Sequence, residues 1–285
     1  MILNKLIKKI PVFIFLVPAS LLIIMPLWVI MFGSLMGNAE IAGNLTPILS
    51  DDTGNIKWTL IPQYPTLRPY VELLLDSPAF FVRFQNSLCQ VCPLLVGQLF
   101  IAVPAAWAFS RFEFPIKKLL FIFYMAFMIM PFQVTMVSGY LVLDRLKLLD
   151  TNLAIILPGM FSTFPVFIMT KFFTSIPVPL LEASELDGAN EWQIFIHIGI
   201  PMGMSGIVSS CILGFLENWN AIEPALTFLS DQSLWPLSLY LPEIAADKAG
   251  VSLAASVIMI TPPLLVFFYG QSYLEQGICA SGLKE

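Results

Sequence analysis

Apolar residues in this chain come in runs far longer than one face of a soluble helix needs. Six stretches, at about 10–32, 87–109, 119–143, 153–173, 194–216 and 251–273, are long and charge-poor enough to cross a bilayer. A hydrocarbon core of about 30 Å takes about 20 residues at 1.5 Å each. The fourth is the shortest, with a charge-free stretch from Leu153 to Thr170. Lys5, Lys8 and Lys9 precede the first run, as in a signal peptide. That run is too long for a usual signal core and lacks a clear cleavage site, so it reads as an uncleaved span. A seventh apolar candidate, 221–242, carries Glu223, Asp231, Pro224, Pro236 and Pro242. An uninterrupted helix does not hold so many prolines, and the segment predicts an outer loop with a short helix. The pattern as a whole predicts an all-α polytopic membrane protein with six transmembrane helices.

Between the fourth and fifth runs lies a polar insert, Glu182-Ala183-Ser184-Glu185-Leu186-Asp187-Gly188-Ala189, leading into Ile198-Gly199-Ile200-Pro201. Pro177 and Pro179 suit the start of a helix, where a missing N–H is not needed. Leu180, Ala183 and Leu186 recur at helical spacing and form one apolar face. Glu182 and Glu185 are placed toward the helix start, where negative charge is favoured. Gly188 supplies the left-handed residue that closes a helix. A second short helix is expected from near Asn190 through Trp192 into the fifth span. The prediction is an L-shaped pair of helices with Gly188 at the elbow, against the plainer alternative of an amphipathic connector lying on the membrane.

Composition agrees with the runs. Apolar residues make up 58% of the chain and charged residues 12%, with a mean hydropathy of +0.84; a soluble domain carries about 25% charged residues. The net charge of −5 and the lack of a Lys/Arg cluster beyond Lys5, Lys8 and Lys9 speak against nucleic acid. Lysines and arginines orient the spans. With the N-terminus inside, the inner set is Lys5, Lys8, Lys9, Arg111, Lys117, Lys118, Lys171 and Lys284. The outer set is Lys57, Arg68, Arg83, Arg145, Lys147 and Lys248, mostly in long loops that count little. Both termini then lie inside. The long segment 33–86 lies outside, with a turn at Asp51–Asn55 and a strand candidate at Ile56–Leu60.

Candidate chemistry is sparse. Cys89-x-x-Cys92 has redox-like spacing but lies in an apolar stretch with no second pair; it and Cys211 and Cys279 read as small apolar side chains. Asn44-Leu45-Thr46 fits a glycosylation sequon, a pattern common by chance. His197, the single histidine, is at the inner edge of the fifth span and reads as interfacial. No metal-ligand cluster, no H-E-x-x-H and no G-x-x-x-x-G-K-[ST] occurs, so no catalytic residue, metal or cofactor is assigned. Gly199-x-x-x-Gly203 and Gly206 permit close helix packing, either against a neighbour or within the same subunit. Pro131, Pro158, Pro165, Pro201, Pro262 and Pro263 lie within spans as candidate kinks. Polar groups on a candidate path are Gln98, Gln133, Ser138, Ser209, Glu217, Asn218 and Asn220; each also suits an interhelical hydrogen bond. Lysine and arginine are absent from the span centres, which favours a neutral solute over an anionic one.

The insert, with Gly188 ten residues before the Ile198-x-Ile200 of Ile198-x-Ile200-Pro201, resembles the EAA motif of binding-protein-dependent ABC importer permeases. Further stretches resemble that family: Asn86-Ser87-Leu88, Ala108-Phe109-Ser110-Arg111-Phe112-Glu113-Phe114-Pro115, Met130-Pro131-Phe132-Gln133, Leu148-Leu149-Asp150-Thr151-Asn152-Leu153, Phe172-Phe173-Thr174-Ser175-Ile176-Pro177, Ala254-Ala255-Ser256 and Tyr273-Leu274-Glu275-Gln276-Gly277. Together they cover about 83–282 and are most similar to the second permease subunit of maltose-like, carbohydrate-type importers. Ser184 stands where the family commonly has alanine. Trp219-Asn220-Ala221-Ile222 departs from its usual Trp-Asn-Asp-Phe.

The resemblance implies the type I importer permease fold, with residues 1–82 as the first helix and outer loop, 83–276 as the permease core containing a coupling loop at 177–193, and 277–285 as an inner tail. It implies a non-catalytic subunit in a bacterial or archaeal cytoplasmic membrane, paired with a second permease, two ATP-binding subunits and an outer solute-binding protein. Glu182, Ala183, Ser184, Glu185, Asp187, Gly188 and Ala189 would couple it to the ATPases. Gln133, Ser209, Glu217, Asn218 and Asn220 would line a sugar path. The alternatives are a permease for a non-sugar solute such as a glycerol phosphate, or an ion-coupled secondary transporter, for which the spans offer almost no buried ionisable groups.

Overall fold

The computed structural model describes residues 10–49, 59, 61–240 and 248–282. The expected turn at 51–55, almost all of the strand candidate at 56–60, and Lys5, Lys8, Lys9 and Lys284 lie outside them. Among the described residues the regular structure is all helical. In chain order the helices are α1 Ile10–Gly33, α2 Asn38–Leu49, α3 Arg68–Leu75, α4 Pro78–Arg111, α5 Lys117–Ile129, α6 Phe132–Arg145, α7 Leu153–Met160, α8 Thr163–Thr174, α9 Val178–Leu186, α10 Glu191–Ile194, α11 Ile200–Met202, α12 Met204–Trp219, α13 Glu223–Phe228 and α14 Ala249–Gly282.

Among the described residues, four helical segments are long and apolar enough to cross a membrane: Ile14–Gly33, Pro78–Arg111, Leu153–Thr174 and Ala249–Glu275. Two bent pairs raise the number to six if each counts as one span. Lys117–Ile129 and Phe132–Arg145 meet at 102°, and Glu191–Met202 and Met204–Trp219 at 66°. The first bend falls at Met130–Pro131, where Met130 takes an extended ψ of 123°. A residue before proline is pushed out of the helical region, so the helix ends there.

The backbone forms two compact units, Met1–Phe81 with Leu241–Thr261, and Val82–Tyr240 with Pro262–Glu285. In the first, the 18-residue apolar window of α1 has no buried residue, as lipid contact requires. The stretch expected to be an outer loop contains α2 and α3. Met36, Ile41 and Ala249 form a small core packed by Leu253. The Ser34 and Tyr70 hydroxyls share a 2.7 Å hydrogen bond.

In the second unit, residues 221–240 form α13 and two 3-10 turns, matching the short helix expected there; 241 and 242 of the expected segment lie outside the described residues. The end of that segment is tied to the start of α4. Asn86 Nδ2 donates to the Trp235 carbonyl at 3.1 Å, the Leu237 amide donates to Ser87 Oγ at 2.7 Å, and Arg83 donates to the Leu239 carbonyl at 3.0 Å. Asp150, itself at φ +56°, accepts from the Ser230 amide and from the Asp231 amide at 3.0 Å. Asp231 in turn caps the next turn by accepting from the Ser233 amide, which holds its carboxyl below the usual range.

Candidate functional site

The polar insert folds as two helices joined at Gly188. Pro177 is the N-cap of α9 and Pro179 lies in its first turn. At the other end Gly188 has φ +85°. The Gly188 amide donates to the Glu185 carbonyl and the Ala189 amide to the Ser184 carbonyl, both at 3.0 Å. This pair of bonds is the Schellman closure, which needs a left-handed residue at that point. Asn190 then opens α10 with a reciprocal capping box: its side chain accepts from the Gln193 amide and its amide donates to the Gln193 side chain, both at 2.9 Å. Two terminators placed back to back fix the elbow by local hydrogen bonds. Asn190→Ala removes one half of the box, worth about 1 kcal/mol. Hydrogen exchange at the Gln193 amide should quicken about fivefold.

The insert's charges do not sit as the sequence suggested. The first turn of α9 contains no acid; Glu182 and Glu185 are further along, so the helix dipole does not explain them. Glu185 instead pairs with Arg111, the last residue of α4, and Arg111 also reaches Glu191 Oε1 of α10 at 3.5 Å. Leu181 is the buried apolar residue of α9. Leu180, Ala183 and Leu186, the predicted apolar face, are all exposed, Leu186 at 90%. Among the described residues nothing covers that face. Ser184 donates its hydroxyl to the Leu180 carbonyl at 2.7 Å, so serine replaces the family's alanine without an unpaired polar group. Asp187 is the C-cap of α9, and Ala189 packs against the core below.

That core anchors the arm. Leu181 and Ile194 join Trp107, Phe173 and Phe195 in one buried cluster. The Trp107 ring stands 5.5 Å from Phe173 and 5.6 Å from Phe195. α10 continues into a π-helical turn, Phe195–Gly199. Pro201 lacks an amide, and its ring would strike the carbonyl four residues back; the wider turn, closed by the Ile200 amide on the Phe195 carbonyl, avoids the clash. A Cβ at Gly199 would come within 2.7 Å of Trp107, one at Gly203 within 2.3 Å of Phe173, and one at Gly206 within 2.5 Å of Phe172. These glycines therefore admit aromatic rings of the same chain. His197 is exposed, with Nδ1 3.0 Å from the Gln193 carbonyl. Among the described residues no cluster is placed to hold a metal ion.

A cavity of about 870 Å³ opens among α4, both arms of the α5–α6 bend, α7 and α13. Among the described residues Glu217 is the one ionisable group lining it, with five phenylalanines (Phe127, Phe132, Phe161, Phe164 and Phe228) around it. Of the sequence candidates, Ser138, Glu217 and Asn218 line the cavity. Gln133 does not; it binds Glu223. Asn220 donates to the Leu216 carbonyl of its own helix at 2.8 Å. Ser209 donates to the Tyr273 carbonyl at 3.0 Å, linking α12 to α14, and Gln98 donates to the Gly159 carbonyl at 3.2 Å. Gln90, Thr135, Ser162 and Thr163 also line the cavity and were missed, because only the bends bring them to it.

The family model described as the binding-protein-dependent transport system inner membrane component matches residues 98–278. The chain belongs to that family. A probable ABC transporter permease protein of Pyrococcus horikoshii is 33% identical over 78% of this chain and 82% of its own length. The arabinooligosaccharides transport system permease protein AraQ of Halalkalibacterium halodurans is 24% identical over 78% and 81%. Among solved structures, a bacterial ABC transporter involved in the import of the acidic polysaccharide alginate aligns with a TM-score of 0.77, covering 95% of this chain and 97% of that one at 22% identity. At that identity the likeness carries the fold alone. The permease is thus an all-helical membrane component of an ABC transport system, and the α9–α10 arm and the cavity both fall inside the matched region or the helices that enter it.

Proposed function

We propose that this permease is one half of a heterodimeric importer channel, that its α9–α10 arm receives motion from one of two separate ATP-binding subunits, and that the solute is a carbohydrate delivered by an extracytoplasmic binding protein. The observation that carries the coupling role is the arm itself. Its elbow is rigidly terminated, its base is buried in the Trp107–Phe173–Phe195 cluster, and its Leu180–Ala183–Leu186 face is uncovered. Glu182, Ala183, Ser184, Glu185, Asp187, Gly188 and Ala189 make up the contact segment and its turn. The arm and both termini lie on the cytoplasmic side, in keeping with Arg111, Lys117 and Lys118.

Cavity chemistry supports a neutral, hydroxyl-rich solute. Phenylalanine faces suit the C–H surfaces of sugar rings, and Glu217 and Asn218 suit hydroxyl donors. A glycerol phosphate would meet Glu217 with no lysine or arginine among the described residues that line the cavity, an arrangement that disfavours an anion. The name of the arabinooligosaccharide relative points the same way.

The test uses the complete complex in lipid with its binding protein. Substrate-stimulated ATP hydrolysis is measured across neutral mono- and oligosaccharides, uronate oligosaccharides and glycerol phosphate. Neutral saccharides should stimulate. Stimulation by uronate oligosaccharides alone would overturn the neutral-solute reading, and stimulation by glycerol phosphate alone would overturn the carbohydrate assignment. A cysteine at Ser184 (Ser184→Cys) should cross-link to an ATP-binding subunit; its failure to do so in an assembled complex would overturn the coupling assignment.

A further inference from the structure

Arg111 sits where α4 meets both segments of the arm. The capping bonds at 183–193 set the angle between α9 and α10, and Leu181 and Ile194 bury the base of each; a polar tie from α4 to both segments would add a direct link between the arm and that helix. Arg111 provides one. It ends α4, its side chain is only 20% exposed, and it is paired with Glu185 on one side of the elbow and Glu191 on the other. One turn back on the same face of α4, Trp107 packs between Phe173 and Phe195. α4 is therefore held twice at the arm, once through the charged bridge to α9 and α10 and once through aromatic packing against α8 and the π-helical turn that follows α10. Further along, the same helix lines the cavity with Gln90, Val91 and Leu94.

The geometry points to Arg111 as a positioning residue that ties both segments of the arm to α4, so that displacement of the arm is passed along α4 to the cavity wall. This role rests on the reading of the arm as the ATPase contact. Arg111 is not among the residues that line the cavity. It sets how much solute moves for each ATP hydrolysed. The bridge is built for this: a planar guanidinium holds two carboxylates in fixed directions, which a lysine ammonium does not. Glu185 and Glu191 are each nearly half exposed, so the bridge is sensitive to salt.

The experiment measures solute uptake and ATP hydrolysis in the complete complex in lipid vesicles, and reports their ratio for wild type, Arg111→Gln, Arg111→Lys and the exchange pair Arg111→Glu with Glu185→Arg. The ratio should fall about fivefold in Arg111→Gln, a size appropriate to a small charged network. It should fall less in Arg111→Lys and recover in part in the exchange pair, and the wild-type ratio should decline as salt rises. A merely structural arginine would lower the amount of complex and both activities in proportion, leaving the ratio fixed; that result overturns the proposal. If Arg111→Gln does not accumulate in the membrane, Glu191→Gln, which lies outside the proposed contact segment, removes the α10 side of the bridge and is read in the same way. The Ser184→Cys cross-link separates the two readings. A cross-link with an unchanged ratio removes the Arg111 role alone, whereas no cross-link in the unsubstituted background removes the coupling reading on which it stands.

Discussion

Valine at position 188 should uncouple the transporter, while asparagine at the same position should leave it working. Gly188 has φ +85°, and a Cβ added there would meet nothing within 4 Å. The substitution therefore acts through the backbone alone. A left-handed conformation costs an ordinary residue about 1–2 kcal/mol, and a β-branched residue stands worse there. The elbow would relax toward φ < 0, break the Gly188-to-Glu185 and Ala189-to-Ser184 bonds and turn α10 away from α9. A shift of that size changes the population of the correct elbow roughly 5- to 30-fold, and solute uptake should fall within the same range. Asparagine tolerates the left-handed region, so Gly188→Asn should retain most uptake. Uptake and stimulated ATP hydrolysis in vesicles decide the matter. Equal activity in the valine and asparagine variants would mean that the elbow's handedness has no part in transport.

Leucine at Gly203 should destabilise the permease itself. A Cβ at that position lies 2.3 Å from Phe173 Cε1 and 3.0 Å from the Gly199 carbonyl oxygen. The ring belongs to a residue only 3% exposed and has no free direction to yield. Overfilling a packed core costs about 1–3 kcal/mol, and here it also presses on the α11–α12 bend. Thermal unfolding of the purified permease complex should begin at lower temperature in Gly203→Leu, with less protein recovered from membranes. Gly43→Ala is the counterpart: α2 has open space at that site, and replacing a helical glycine by alanine gains about 0.5–1 kcal/mol. A Gly203→Leu variant as stable as wild type would show that the α12–α8 contact is looser than its distances indicate.

The arm was readable because its signals are local. Pro177, Pro179, Gly188 and Asn190 each dictate backbone behaviour within a few residues, and the two helices begin and end where those residues demand. The apolar runs were readable for a similar reason: length and charge-poverty are properties of a segment, whatever it packs against. Partnerships were harder. From the sequence Glu185 reads as a helix-start acid, yet it sits near the helix end and answers Arg111, 74 residues away in the chain. Leu181, not the more periodic Leu180, faces the core, because the cluster built on Trp107 selects it. The cavity depends on the break at Met130–Pro131 and on the interruption between α7 and α8. Gln90, Thr135, Ser162 and Thr163 become neighbours only after both have formed, while Gln133 and Asn220 are turned to other partners. α2 and α3 went unseen because both are short and of mixed polarity.

The back-to-back Schellman turn and capping box have a consequence for how such transporters diversify. Every backbone and capping bond that shapes the elbow is made between residues 183 and 193, so the arm behaves as a self-contained cassette. A genome that duplicates a permease can exchange this short stretch, or redecorate its uncovered leucines, without disturbing the bundle that handles solute. On the coupling role proposed for the arm, the choice of motor and the choice of cargo can then drift apart, joined through the side chains at the cassette's base.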